Sequence, residues 1–184
     1  MALHQAGLDR ILYMPAGSPW QKSDDEVSPG AHRLEMTRLA IDGVEGFEVD
    51  DREVMRDGPT YTADTLDSFP SDEELFLILG ADAASRLPTW ERHEDVLSRV
   101  TLLVVPRSGT DPTVVARKVP EAVFLDMSLL EVSGTDIRNM AREGRPYRFL
   151  VAEPVYRYIQ DNLLYAQSDR ADNVEAPDRM EKLS

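Results

Sequence analysis

Apolar and polar positions along the chain fall into short segments separated by turn chemistry. Residues 2–6 read as a helix stopping at Gly7, a C-cap residue, and Arg10-Ile11-Leu12-Tyr13-Met14-Pro15 follows as a buried strand. Residues 16–28 are rich in Gly, Ser, Pro and Asp and form a loop. Ser28-Pro29 predicts a helix start, with Ser28 as cap and proline at the first position, running to about Ile41 with Leu34, Leu39, Ala40 and Ile41 on one buried face. Phe47-Glu48-Val49-Asp50 alternates as a strand, Arg56-Asp57-Gly58-Pro59 is a turn, and a short helix after Thr62 carries Leu66. Residues 75–79 and 100–105 are continuous apolar runs, as in strands buried on both faces, with a helical segment over 90–98 between them. Strand, helix, strand in that order predicts an α/β domain with an open parallel sheet. A weaker strand at 122–125, a capped helix from about Thr135 and a last helix over 153–163 complete it. From Ala166 the chain is polar and aperiodic, which predicts a disordered tail over 166–184, and there is no internal repeat.

The length of 184 residues suits one domain with a full core. A hydrophobic fraction of 42% and a charged fraction of 29% are ordinary for a soluble protein, and no apolar run reaches the roughly 20 residues of a membrane helix. The start lacks a signal-peptide pattern, so a cytoplasmic protein is expected. Zero cysteines exclude disulfides, thiolate zinc sites and a thiol nucleophile. The net charge of −14 argues against a nucleic-acid surface, which needs clustered Lys and Arg, but leaves room for an anionic small molecule where a few basic groups converge.

In open α/β sheets ligands bind beyond the carboxyl ends of the strands. Gly80-Ala81-Asp82 follows the 75–79 strand there: Gly80 permits close backbone approach, and Asp82 either accepts from ribose hydroxyls or caps the next helix. Trp90, after Leu87-Pro88-Thr89, either stacks on a flat ligand or packs on the core. Thr62 either offers helix-start amides to an anion or acts as an ordinary N-cap. Ser133-Gly134-Thr135-Asp136-Ile137-Arg138 is the stronger signal: Ser133, Thr135 and exposed amides open a helix, and Arg138 one turn in could grip phosphate, the competing reading being a plain cap. Lys22 and Arg107 either add positive charge or are solvated loop cations. His4, His32 and His93 show no metal-ligand spacing, and neither a Gly-x-Ser-x-Gly elbow nor a Walker loop is present.

Taken in order, Pro15-Ala16-Gly17-Ser18-Pro19-Trp20-Gln21-Lys22, Tyr61-Thr62-Ala63-Asp64-Thr65-Leu66, Gly80-Ala81-Asp82, Leu87-Pro88-Thr89-Trp90 and Val132-Ser133-Gly134-Thr135-Asp136-Ile137-Arg138 closely resemble bacterial nicotinate-nucleotide adenylyltransferase, a Rossmann-like branch of the nucleotidyltransferases. The resemblance spans nearly all of residues 2–165. It implies an open parallel sheet with helices on both faces, and adenylyl transfer from ATP to nicotinate mononucleotide with magnesium, giving deamido-NAD and pyrophosphate. By the same resemblance Trp90 stacks on the pyridine ring, and Thr62 with backbone near Trp90 receives its carboxylate. Asp82, beside Gly80, holds a ribose; Ser133, Thr135 and Arg138 face the ATP phosphates, with Lys22 and Arg107 near phosphate. A homo-oligomer is left open.

The departures carry expectations of their own. The family begins with a strand and a Gly-Gly-x-Phe-x-Pro-x-His-x-Gly-His loop whose histidines stabilise the reacting phosphates, and this sequence has no such segment. Leu3-His4-Gln5-Ala6-Gly7-Leu8 aligns instead with the later half of the first helix, so about 25 residues are wanting, enough for one strand, its loop and half a helix. A start assigned too late accounts for this most simply; a chain truly starting at Met1 is expected to be unstable and nearly inactive. Trp20, Gln21 and Gly134 alter loop shape only. Phosphopantetheine adenylyltransferase shares the serine-threonine-arginine motif but not Leu-Pro-Thr-Trp, and a non-catalytic nucleotide-binding module is the reading from a different class.

Overall fold

The computed structural model describes residues 2–17, 28–128 and 131–166. The chain divides into two compact units, Met1–Glu131 and Val132–Ser184. The first begins with α1 (Ala2–Gln5), which ends where Gly7 takes φ +61, and continues into β1 (Ile11–Tyr13). Then come α2 (Gly30–Ile41), β2 (Phe47–Val49), α3 (Thr62–Asp67), β3 (Phe76–Gly80), α4 (Ala81–Ala84), a 3-10 turn (Leu87–Thr89), α5 (His93–Arg99), β4 (Thr101–Val105), α6 (Pro112–Lys118) and β5 (Val123–Phe124). The second unit holds α7 (Gly134–Arg142), a 3-10 turn (Arg148–Leu150) and α8 (Glu153–Asp161). Among the described residues no helix is long and apolar enough to cross a membrane.

Every strand pair is parallel, as the alternation of strands and helices requires. The strands lie in two sheets rather than the single one expected: β1 pairs with β2, and the other sheet has the order β3-β4-β5. Among the described residues β1 and β3 are therefore each hydrogen-bonded along one edge only. Arg10 links the two sheets, its guanidinium lying 3.3 Å from Glu48 on β2 and 3.3 Å from Glu73 before β3. At the far side of the larger sheet the Gln5 side-chain amide donates to the Asp126 carbonyl at 2.7 Å and accepts from its N–H at 2.9 Å.

The core of the first unit forms where helices cover β3 and β4. Ala81, Ala84, Leu87, Leu102, Val104, Val115 and Val119 make one buried cluster, and Ala63, Leu66 and Val96 another. In the second unit Ile137, Tyr147, Val155 and Ile159 are buried, with the Tyr147 hydroxyl accepting from Gln160 at 2.6 Å. Burial pushes the Tyr147 phenol upward in pKa, the Gln160 bond partly offsetting it.

Three local expectations need correction. Pro29, not Ser28, is the N-cap of α2, and no side chain caps that helix. Of the four apolar residues expected on one face of α2 only Leu34 is buried, and Ala40 is exposed. At 100° per residue only Leu34 and Ile41, seven apart, share a face, whereas Leu39 and Ala40 turn away. Trp90 lies outside a helix, between the 3-10 turn and α5, because Arg92 adopts φ 52 and breaks any continuous helical run. Helix α6 was not foreseen, although Asp111-Pro112 is a strong start: the Asp111 carboxylate accepts from the Thr113 N–H at 2.8 Å and proline takes the first turn. Residues 167–184 of the expected tail and residues 18–27 of the expected loop lie outside the described residues.

Candidate active site

The carboxyl ends of β3 and β4 bring three of the expected residues together. Gly80 closes β3 in register with Val105, and Arg107 follows two residues beyond. A β-carbon on Gly80 would stand 2.7 Å from an Asp82 carboxylate oxygen, so the missing side chain is what lets that acid close over the end of the strand, while Arg107 Cδ lies 4.0 Å from the same position, at ordinary contact distance. Asp82 is half-buried in the first turn of α4, and Arg107 is exposed. No side chain caps α4, which removes the capping alternative for Asp82; its carbonyl accepts from the Ser85 hydroxyl at 2.8 Å.

The Trp90 turn is built from its neighbours. Leu87, fully buried, anchors the 3-10 turn in the core at a gain of about 1.5–3 kcal/mol. Pro88 sits in the first turn, the Trp90 N–H donates to the Leu87 carbonyl at 2.9 Å, and half-buried Trp90 itself takes extended backbone at φ −78, ψ 150. Thr62 is the first helical residue of α3 rather than its cap; Tyr61 is the N-cap, and no side chain satisfies the helix start.

A polar network behind α3 holds that helix in place. Arg52 donates to the Ser68 hydroxyl at 2.7 Å and lies 4.0 Å over the Phe69 ring, while its own partner Asp50 stands at 2.6 Å. The bond to Arg52 holds the Asp50 carboxyl below its ordinary range. Buried Thr65 donates to Glu53 at 2.8 Å, and burial pushes the Glu53 carboxyl up, with the Thr65 bond and Arg56 pulling the other way. Lys22 lies outside the described residues. Both flanks of its loop are fastened to α2, where Arg33 donates to the Gly17 carbonyl at 2.7 Å and the Ser28 carbonyl at 3.0 Å.

In the second unit Ser133, Thr135 and Arg138 come together at the start of α7. Ser133 and Asp136 form a reciprocal capping box: the Asp136 N–H donates to the Ser133 hydroxyl at 3.1 Å, and the Ser133 N–H donates to the Asp136 carboxylate at 3.1 Å. The cap reading thus holds for Ser133. Arg138 folds back over the same turn, donating to the Thr135 hydroxyl at 2.9 Å, and its Nη1 would stand 3.2 Å from a β-carbon on Gly134. Glycine in this motif makes room for the guanidinium.

Among the described residues no three His, Asp or Glu side chains converge to hold a metal ion. Sequence reading overlooked Arg33, Glu53 and Arg92. Glu53 and Arg33 act through partners distant in sequence and leave no local signal. Arg92 left one: Asp95 lies three residues beyond it, and Asp64 and Asp67 are spaced to share a face of α3.

The cytidylyltransferase-like family model matches residues 1–140. The probable nicotinate-nucleotide adenylyltransferase of Dehalococcoides mccartyi is 38% identical over 170 residues, covering 86% of this chain and 83% of that protein. The nicotinate-nucleotide adenylyltransferase of Bacillus subtilis is 35% identical over 167 residues, covering 89% and 86%. Among solved structures, the Plasmodium falciparum nicotinic acid mononucleotide adenylyltransferase complexed with NaAD superimposes with a TM-score of 0.69 at 17% identity, covering 86% of this chain and 83% of that one, which supports the fold. Parallel strands, helices on both faces and 35–38% identity along most of the chain place it: it belongs to the cytidylyltransferase-like family and, within it, to the nicotinate-nucleotide adenylyltransferases.

Proposed function

We propose that this protein transfers the adenylyl group of ATP to nicotinate mononucleotide, releasing pyrophosphate and forming deamido-NAD for NAD synthesis in the cytoplasm. The observation that carries the reading is the approach of Asp82 over Gly80 at the carboxyl end of β3, with Arg107 beside it, in a chain of this family. In the reaction a 5′-phosphate oxygen of the mononucleotide attacks the α-phosphorus of ATP, one P–O bond forms, and the bond to the pyrophosphate oxygen breaks. No covalent enzyme intermediate is needed, so positioning and charge neutralisation supply the catalysis.

Trp90 stacks on the pyridine ring, Thr62 and backbone near Trp90 take its carboxylate, and Asp82 beside Gly80 accepts from a ribose hydroxyl. Arg107, Lys22 and Arg138 with Thr135 offset phosphate charge, while Ser133 serves chiefly by holding the start of α7 in shape. Magnesium enters on the ATP phosphates as part of the substrate.

The test uses protein expressed from its own locus with upstream sequence included. Its intact mass reports whether a histidine-loop segment is present. Pyrophosphate release from ATP is then measured with nicotinate mononucleotide, together with quenching of Trp90 fluorescence in a Trp20→Phe background. Release with quenching is expected; quenching without release would make the chain a binding module, and no quenching would remove Trp90 from the site.

A further inference from the structure

Arg92 sits two residues beyond Trp90 with φ 52, a left-handed backbone conformation that side-chain-bearing residues rarely adopt. Its guanidinium meets three carboxylates. Nη1 donates to Asp64 at 3.1 Å and Asp67 at 2.9 Å, both on α3, and Nε donates to Asp95 at 2.7 Å on α5. Asp67 closes α3, where the carbonyl end of a helix disfavours negative charge, and stands three residues from Asp64 on the same face. One arginine therefore neutralises a repulsive pair and joins two helices. Its bonds to Asp67 and Asp95 push the guanidinium still further toward the charged form.

The joined elements are the ones that border Trp90. Helix α3 begins at Thr62, and α5 starts one residue after Arg92, with the Trp90 turn leading into it. Behind α3, Ala63 and Leu66 pack with Val96 of α5 in a small apolar cluster. Directional ion pairs fix what apolar contact leaves free.

We propose that Arg92 is a positioning residue for the pyridine nucleotide: by holding Asp64, Asp67 and Asp95 on one guanidinium it sets the Trp90 turn against the helix that begins at Thr62. The proposal rests on the reading of Trp90 and Thr62 as the pyridine end of the site. It touches no reacting atom, so the loss of Arg92 falls on mononucleotide binding rather than on chemistry.

Arg92→Gly is the sharpest variant, because glycine accepts φ 52 and only the side chain is lost. Arg92→Lys keeps a charge without the fork, and Asp95→Asn loosens one of the three bonds and serves if the glycine variant fails to fold. The expected result in the full-length enzyme is KM for nicotinate mononucleotide raised about ten-fold in Arg92→Gly, with kcat and KM for ATP changed less than about two-fold, and partial recovery in Arg92→Lys. In the Trp20→Phe background the Trp90 emission of the ligand-free protein shifts to longer wavelength in Arg92→Gly. That readout needs no substrate, so it tests the clamp even if the wild type releases no pyrophosphate. An unshifted emission, or a lowered melting temperature with KM for the mononucleotide unchanged, would overturn the proposal.

Discussion

The Asp82 carboxylate occupies the space that a side chain on Gly80 would take, one oxygen lying 2.7 Å from the position of the missing β-carbon. The obstacle is the free end of a flexible side chain and not backbone. Gly80→Ala therefore displaces Asp82 without breaking the strand. Expected are a melting temperature within a few degrees of the wild type and a clear rise in KM for a nucleotide substrate. Kinetics identical to the wild type would detach Asp82 from the site.

Gly17 presents the opposite case. A β-carbon there would run into the backbone carbonyl of Glu53 and stand 3.1 Å from Oγ1 of Thr60, which is itself buried. Backbone cannot swing aside, so Gly17→Ala should destabilise the first unit by about 1–3 kcal/mol. Chemical denaturation of the two glycine variants side by side checks the contrast, and equal stability for both would contradict the close approach at Gly17.

Within α7 the capping and ligand roles separate by residue. Ser133→Ala removes the cap and should cost about 1 kcal/mol of stability. Arg138→Ala removes a guanidinium whose protein partner is the Thr135 hydroxyl at 2.9 Å, so it should leave the melting temperature nearly unchanged and raise the ATP concentration needed for half-maximal rate. ATP kinetics untouched by Arg138→Ala would count against a phosphate role.

In the second unit Glu153 accepts from Arg148 at 2.7 Å and Arg157 at 2.9 Å, and these bonds, Arg148 first, lower its pKa from 4.5 to about 2. The folded state thus binds its proton more weakly than the unfolded state. The pairing stabilises fully above about pH 4.5 and is lost as pH falls toward 2. Glu153→Gln should flatten the acid limb of a melting-temperature profile over that interval. Because the carboxylate is partly exposed, high salt should shrink the difference between the two proteins.

What was legible in the sequence is chemistry that closes over a few residues. The apolar runs at 75–79 and 100–105 became β3, shifted by one residue, and β4, shorter by one, although only Leu102, Leu103 and Val104 of β4 are buried and every residue of β3 stays half-buried. The Ser133-to-Asp136 cap was readable because its bonds span three residues. The family motifs led to the correct family. Tertiary structure alone decided which of these pieces meet. Arg92 reaches Asp64 and Asp67, 28 and 25 residues earlier in the chain, and Arg33 reaches Gly17, 16 residues back. It also decided that Trp90 leaves the helix and that the parallel strands fall into two sheets. Periodicity reports which face of an element avoids water, but an ion pair across distant segments exists only once the chain between them has closed, and its geometry is set by packing that no local pattern encodes.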